Sequence, residues 1–261
     1  MMLVLKLVLV PSLIALVTVA NRRWGPRVGG LVATLPLVAG PALFFLSVEQ
    51  GAEFAAAAAR GTLAALAAVA SAAVAYAWAA QRAPWWASLP VAWASFLVVT
   101  LAVQAARPGL IVAFVLAVAS FAVSRAVLPP ARGPRAAAAP PAWDLPLRMV
   151  AAAALVLTVT ALAERLGPRL TGALTPFPVV LTILLAFMHA GQGAATAVRF
   201  LQAFLPGMWT FAVFCLVLAL VLPPLGVAAG FTLALATQLV LQGALFASPR
   251  VGRRALDHAP R

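Results

Sequence analysis

Glu49, Glu53 and His189 are the acid and imidazole groups nearest to the middle of an apolar run in this chain of 261 residues. An ionisable group inside a membrane span is expensive to hold there, and that makes each of them a functional candidate. None of the three recurs in the internal repeat described below, so a position facing the lipid headgroups is equally open to them. Other features do recur. Gly25-Pro26-Arg27 and Gly167-Pro168-Arg169 open two apolar runs, each preceded by a further arginine, Arg23 and Arg165. Proline suits a first helical turn because it has no N–H to lose there. Two readings of the motif stay open. The arginines set topology at a helix start, or Arg23, Arg27, Arg165 and Arg169 join free backbone N–H groups in holding an anion.

Pro36 and Pro178 lie well inside the same two runs. Proline in a membrane helix frees a carbonyl and kinks or breaks the helix. Paired interruptions at corresponding places in two halves point to a transporter site, and an ordinary proline kink used for packing is equally open. Phe45 with Gln50, and Phe187 with Gln192, follow in the same runs, so Pro36, Phe45, Gln50, Pro178, Phe187 and Gln192 form the candidate substrate-binding set. Gln50-Gly51 and Gln192-Gly193 also read as ordinary helix ends. Gln238 and Gln242 share a helix face and are expected to bond to a neighbouring helix. Nothing supports catalysis: there is no His/Cys/Asp/Glu spacing for a metal, no G-x-S-x-G and no phosphate-binding Gly-Lys motif. No enzymatic activity, cofactor or metal is expected.

The elements that must position these residues are membrane helices. The chain is 65% hydrophobic and 9% charged, with mean hydropathy +1.07. Runs of apolar residues follow one another across short gaps, as in a polytopic α-helical membrane protein. We read about nine spans, near 2–20, 28–49, 62–80, 84–104, 109–128, 147–163, 170–190, 205–222 and 225–247. The first reads as a retained helix rather than a cleaved signal. Cys215 is the single cysteine, which excludes an intramolecular disulfide. The net charge of +13 comes from arginines at span ends, not from a nucleic-acid-binding patch.

Residues 23–63 match residues 165–205 without a gap, with 14 identities in 41 positions, several of them Gly, Pro, Arg and Gln. This repeat divides the chain into a four-helix module at 1–105, a linking helix with a Pro/Ala/Arg-rich linker at 106–146, a second four-helix module at 147–247, and a basic tail at 248–261. Span five has no counterpart. Corresponding spans are therefore five apart, an odd number, and the modules are expected to be inverted about an axis in the membrane plane. Spans two and seven are expected to meet near that axis. Thirteen basic residues fall on one side and five on the other, which places the N-terminus outside and the C-terminus in the cytoplasm.

Each module resembles the GlpM-like small inner-membrane proteins, through MLVLKLVLV with Lys6, the Gly-Gly-Leu of span two, Pro36 and Glu49-Gln50-Gly51. Module two shares Arg148, Gly172, Pro178 and Gln192-Gly193. The resemblance implies a four-span module, a bacterial inner membrane and an association with glycerol metabolism or exopolysaccharide production. Two functions stay open: a secondary transporter or permease of a small solute or lipid, and a non-catalytic accessory protein of the envelope. The lipid bilayer is the expected partner, with a small-molecule substrate in the first case.

Overall fold

The computed structural model describes residues 2–133, 141, 143–166 and 177–247. These form eight helices: α1 (Met2–Val32), α2 (Ala39–Gln50), α3 (Ala52–Ala79), α4 (Trp85–Ala106), α5 (Leu110–Val127), α6 (Asp144–Leu166), α7 (Val179–Gln192) and α8 (Ala194–Ala247). There is no strand among the described residues. Five of the helices (α1 from Leu7, α3, α4, α5 and α8) are long and apolar enough to cross a membrane. The fold is an all-helical bundle of the kind that a bilayer requires, because helices satisfy their own backbone groups.

Single glycines make the sharp turns. Gly25, Gly51, Gly193 and Gly226 have φ of 86°, 90°, 84° and 76°, with ψ of 172°, 167°, 162° and 179°. That combination is essentially closed to other residues. Residues eight apart in a continuous helix are about 12 Å apart. Yet a Cβ on Gly29 would lie 2.7 Å from Cβ of Asn21, and one on Gly230 would lie 3.3 Å from the Leu222 side chain. The chain therefore doubles back at Gly25 and at Gly226. α1 is two helices, 2–24 and 26–32, and α8 is two, 194–225 and 227–247. Pro26 takes the first helical position after Gly25, where no N–H is needed. A one-residue turn also explains why α3 begins at Ala52 and α8 at Ala194, about ten residues before the apolar runs suggest. Alanine carries both helix starts.

Pro36 sits in the non-helical stretch 33–38 between α1 and α2, and Pro178 immediately precedes α7. The expected interruption at Pro36 is thus a real break, and α7 starts directly after Pro178. Residues 167–176, which hold the first half of span seven, lie outside the described residues, as do 134–140 of the linker and the tail at 248–261.

Among the described residues, α3 packs on α4, α8 and α5, with α2 against α3 and α7 against α8. The expected meeting of spans two and seven involves residues outside those described. α3 is the most buried of the membrane-length helices. Its inward face is largely alanine, from Ala55 through Ala77. Lipid offers no hydrophobic drive between helices, so small residues that let backbones approach decide which helix goes inside. α5 is the least buried: Ala113, Ala117, Phe121 and Ser124 form its packed stripe, while Ile111, Val112, Val115 and Val123 are exposed.

A chain of contacts sorts the helix ends. Trp78 Nε1–H at the end of α3 donates to the Val127 carbonyl at the end of α5, at 2.9 Å. Just beyond α5, the Pro129 carbonyl accepts from Gln202 near the start of α8, at 3.4 Å. A Cβ on Gly30, just past the Gly25 turn, would lie 2.8 Å from the Phe200 carbonyl oxygen. Arg22, just before that turn, bonds to Asp144 at the start of α6. One end of the bundle therefore carries Arg22, Arg23, Arg27, Arg82, Arg125, Arg132 and Arg199. It also carries the exposed rings of Trp24, Trp78, Trp85, Trp86 and Trp143.

Candidate functional site

At that end, α6 enters beside the end of α1. Asp144 and Arg148 are one helical turn apart, a spacing that puts them on the same face. Arg148 Nε–H donates to Asp144 Oδ2 at 2.7 Å and Nη2–H to Oδ1 at 3.2 Å. Arg22 Nη2–H donates to the same Oδ2 at 2.5 Å. Two guanidiniums therefore share one carboxylate. Arg148 is 1% exposed, whereas the Arg22 side chain is 28% exposed. The Arg148 guanidinium carbon lies 5.1 Å from the centre of the Phe187 ring on α7, a cation–π distance. Nη1 of Arg148 is buried and donates to nothing among the described residues. The buried charges of α6 were not anticipated as a site; the signal was an acid and a base at i, i+4 where an apolar run begins.

α7 presents its other side to α3. Tyr76, the only tyrosine, lies fully buried within the bundle. Its hydroxyl is 3.1 Å from the Leu185 carbonyl oxygen and 3.0 Å from His189 Nδ1. His189 is thus tied to the interior, while Glu49 and Glu53 are exposed beside the Gly51 turn. A small apolar cavity of about 10 Å³ lies among Ala72, Tyr76, Leu89, Trp93, Pro178 and Thr182, at the threshold for holding one water.

Two glutamines close the break at Pro36. Gln238 Nε2–H donates to the Thr34 carbonyl at 3.0 Å, and Gln242 Nε2–H donates to the Leu31 carbonyl at 2.8 Å and to Thr34 Oγ1 at 3.2 Å. Thr210 Oγ1–H donates to Gln242 Oε1 at 2.6 Å. The Thr34 carbonyl, left without a backbone donor among the described residues, is satisfied from the last helix of the other half, and the Leu31 carbonyl, already an acceptor from Thr34, gains a further bond. Beside Pro178 the contacts come from α4 and are to side chains. Phe177 packs edge-on against Phe96 at 5.7 Å between ring centres, and Trp93 Nε1–H donates to Thr182 Oγ1 at 3.2 Å. Phe96 stands 142 positions before Gln238, and Phe177 stands 142 positions after Leu35.

The six candidate substrate residues are not gathered at one place. Pro36 is buried under the glutamines, Pro178 borders the small cavity and Phe187 faces Arg148. Phe45 packs edge-on against Phe44 at 6.0 Å. Gln50 is exposed and Gln192 half-buried, each before its glycine turn. Arg23 lies over the exposed Trp24 ring at 5.6 Å, and Arg27 is exposed. Arg169 lies outside the described residues, as does the side chain of Arg165. No family model, no curated protein and no solved structure matches the chain.

Proposed function

We propose that this chain is a nine-span inner-membrane carrier for a small solute or lipid, built from two inverted modules related to the GlpM-like fold. Support for inversion comes from helix boundaries and directions. α6, α7 and the two parts of α8 end or begin 142 positions after α1, α2, α3 and α4, as at Gln50 and Gln192, Ala52 and Ala194, Trp85 and Val227. The end of the first part of α1 meets the start of α6, so these equivalent helices run in opposite senses. The excess of arginine at one end supports the reading that this end faces the cytoplasm. The observation that carries the carrier reading is reciprocal: residues beside Pro36 are held by the second part of α8 and residues beside Pro178 by α4, each the fourth helix of the other module. Proline-flanked segments held by contacts across the module boundary are parts that an alternating-access mechanism uses.

The runner-up is an accessory protein of the envelope. It is favoured by the close packing beside Pro178, where the cavity measures only about 10 Å³. One accessibility experiment separates the two. In a Cys215→Ala background, Thr182→Cys is exposed to a membrane-impermeant maleimide from each face of native vesicles. A carrier opens this buried site to one face and then the other, so reagent added on either side labels it. Protection from both sides overturns the carrier reading and leaves the accessory role.

A further inference from the structure

We propose that Arg148 and Arg22 form a binding site for one oxyanion, a carboxylate or a phosphate group. The site deepens the carrier reading by naming a ligand chemistry, and rests on that reading only for the idea that the anion moves. Its chemistry follows from a count. Arg22 and Arg148 bring two positive charges and Asp144 brings one negative, so the cluster is one anion short. A buried uncompensated guanidinium is costly in a bilayer. The Phe187 ring offsets part of that cost at 5.1 Å, but a ring face does not take up Nη1. Among the described residues that nitrogen is a buried donor with no acceptor, on a side chain 1% exposed and already oriented by the two-pronged contact to Asp144. An oxyanion bound there completes both the charge and the donor count, and a charge-assisted bond to guanidinium is among the stronger hydrogen bonds. Arg22 shares Asp144 Oδ2 with Arg148 and is partly exposed, so it forms the mouth of the site on the arginine-rich end.

Two sources supply this chemistry, a soluble anion and a lipid headgroup. The full chain is purified in an uncharged detergent, and sodium phosphate or sodium acetate is titrated at matched ionic strength, read by calorimetry and melting temperature. In parallel, the chain is placed in phosphatidylcholine vesicles with and without phosphatidylglycerol. We expect saturable binding in at least one arm, weakened about tenfold or more in Arg148→Lys and Arg148→Gln and several-fold in Arg22→Gln. Arg148→Lys keeps the charge and loses the fork, so it reports the geometry. Should Arg148→Gln fail to fold by circular dichroism and gel filtration, Arg148→Lys and Arg22→Gln carry the test. Arg148-dependent stabilisation by phosphatidylglycerol alone identifies a headgroup ligand, whereas binding of free phosphate or acetate identifies a soluble one. Absence of binding in every arm overturns the site, as does binding that Arg148→Lys leaves unchanged. The labelling of Thr182 judges the carrier reading separately, so the two fail independently.

Discussion

At the scale of single residues, two networks of buried polar groups each make a stability prediction. Asp144 is the only carboxylate between Arg22 and Arg148 among the described residues. Asp144→Ala leaves two guanidiniums facing each other, and it is expected to destabilise the protein by about 3–5 kcal/mol. Replacing the buried pair together by Asp144→Leu and Arg148→Met removes both charges and is expected to recover most of that loss. Thermal unfolding in detergent checks both. Were the single and double variants equally unstable, the pair would not be the source of the effect. The glutamine network is weaker. Gln242 makes three hydrogen bonds to two other segments, and interhelical bonds in membranes are worth roughly 0.6 kcal/mol each. Gln242→Leu is therefore expected to cost about 1–2 kcal/mol, measured the same way, and Gln238→Leu, with its single bond to Thr34, less.

At the scale of elements, turns and close crossings both fall to glycine, for different reasons. Gly51 and Gly193 occupy backbone conformations that alanine adopts only with strain, so Gly51→Ala and Gly193→Ala are each expected to cost about 1–3 kcal/mol. Gly30 has ordinary dihedrals but no room. A Cβ there would meet the Phe200 carbonyl oxygen at 2.8 Å and the Phe204 nitrogen at 2.9 Å, and backbone cannot step aside as a side chain can. Gly30→Ala is expected to part α1 from α8 at a cost of about 1–3 kcal/mol. Gly61 lies within α3 with nothing near its added methyl, so Gly61→Ala should be neutral or stabilising by up to about 1 kcal/mol. Melting curves of the four variants side by side would rank the glycines, and a destabilised Gly61→Ala would contradict this account.

At the scale of the whole molecule, the nine-span inverted arrangement predicts where equivalent turns lie. Glu49 and Gly191 are 142 positions apart, both exposed, and each precedes a glycine turn by two residues. In a Cys215→Ala background, Glu49→Cys is expected to react with an impermeant maleimide from outside the cell and Gly191→Cys only from the cytoplasmic face. Labelling of both from the same side would make the modules parallel and remove the basis of the inverted-repeat reading. A C-terminal alkaline phosphatase fusion is expected to be inactive, since the arginine-rich end should face the cytoplasm.

Local rules carried a good part of this protein. Hydropathy alone marks an all-helical membrane chain. Proline's missing N–H marks the break at Pro36, and the glutamine spacing in the last helix marks a bond to a neighbour, all legible because each follows from one residue and its own backbone. The exact starts of α3 and α8 escaped, because a one-residue glycine turn leaves no polar stretch to betray it and the alanines that follow are helical without being strongly hydrophobic. The central place of α3 escaped too: among helices that are all apolar, small side chains and not hydropathy decide who is inside. Asp144 and Arg148 look like residues at a span edge until folding brings Arg22 from 122 positions away and Phe187 from another helix. Which charges become buried, and which donor is left over, is set by the partners that only packing supplies.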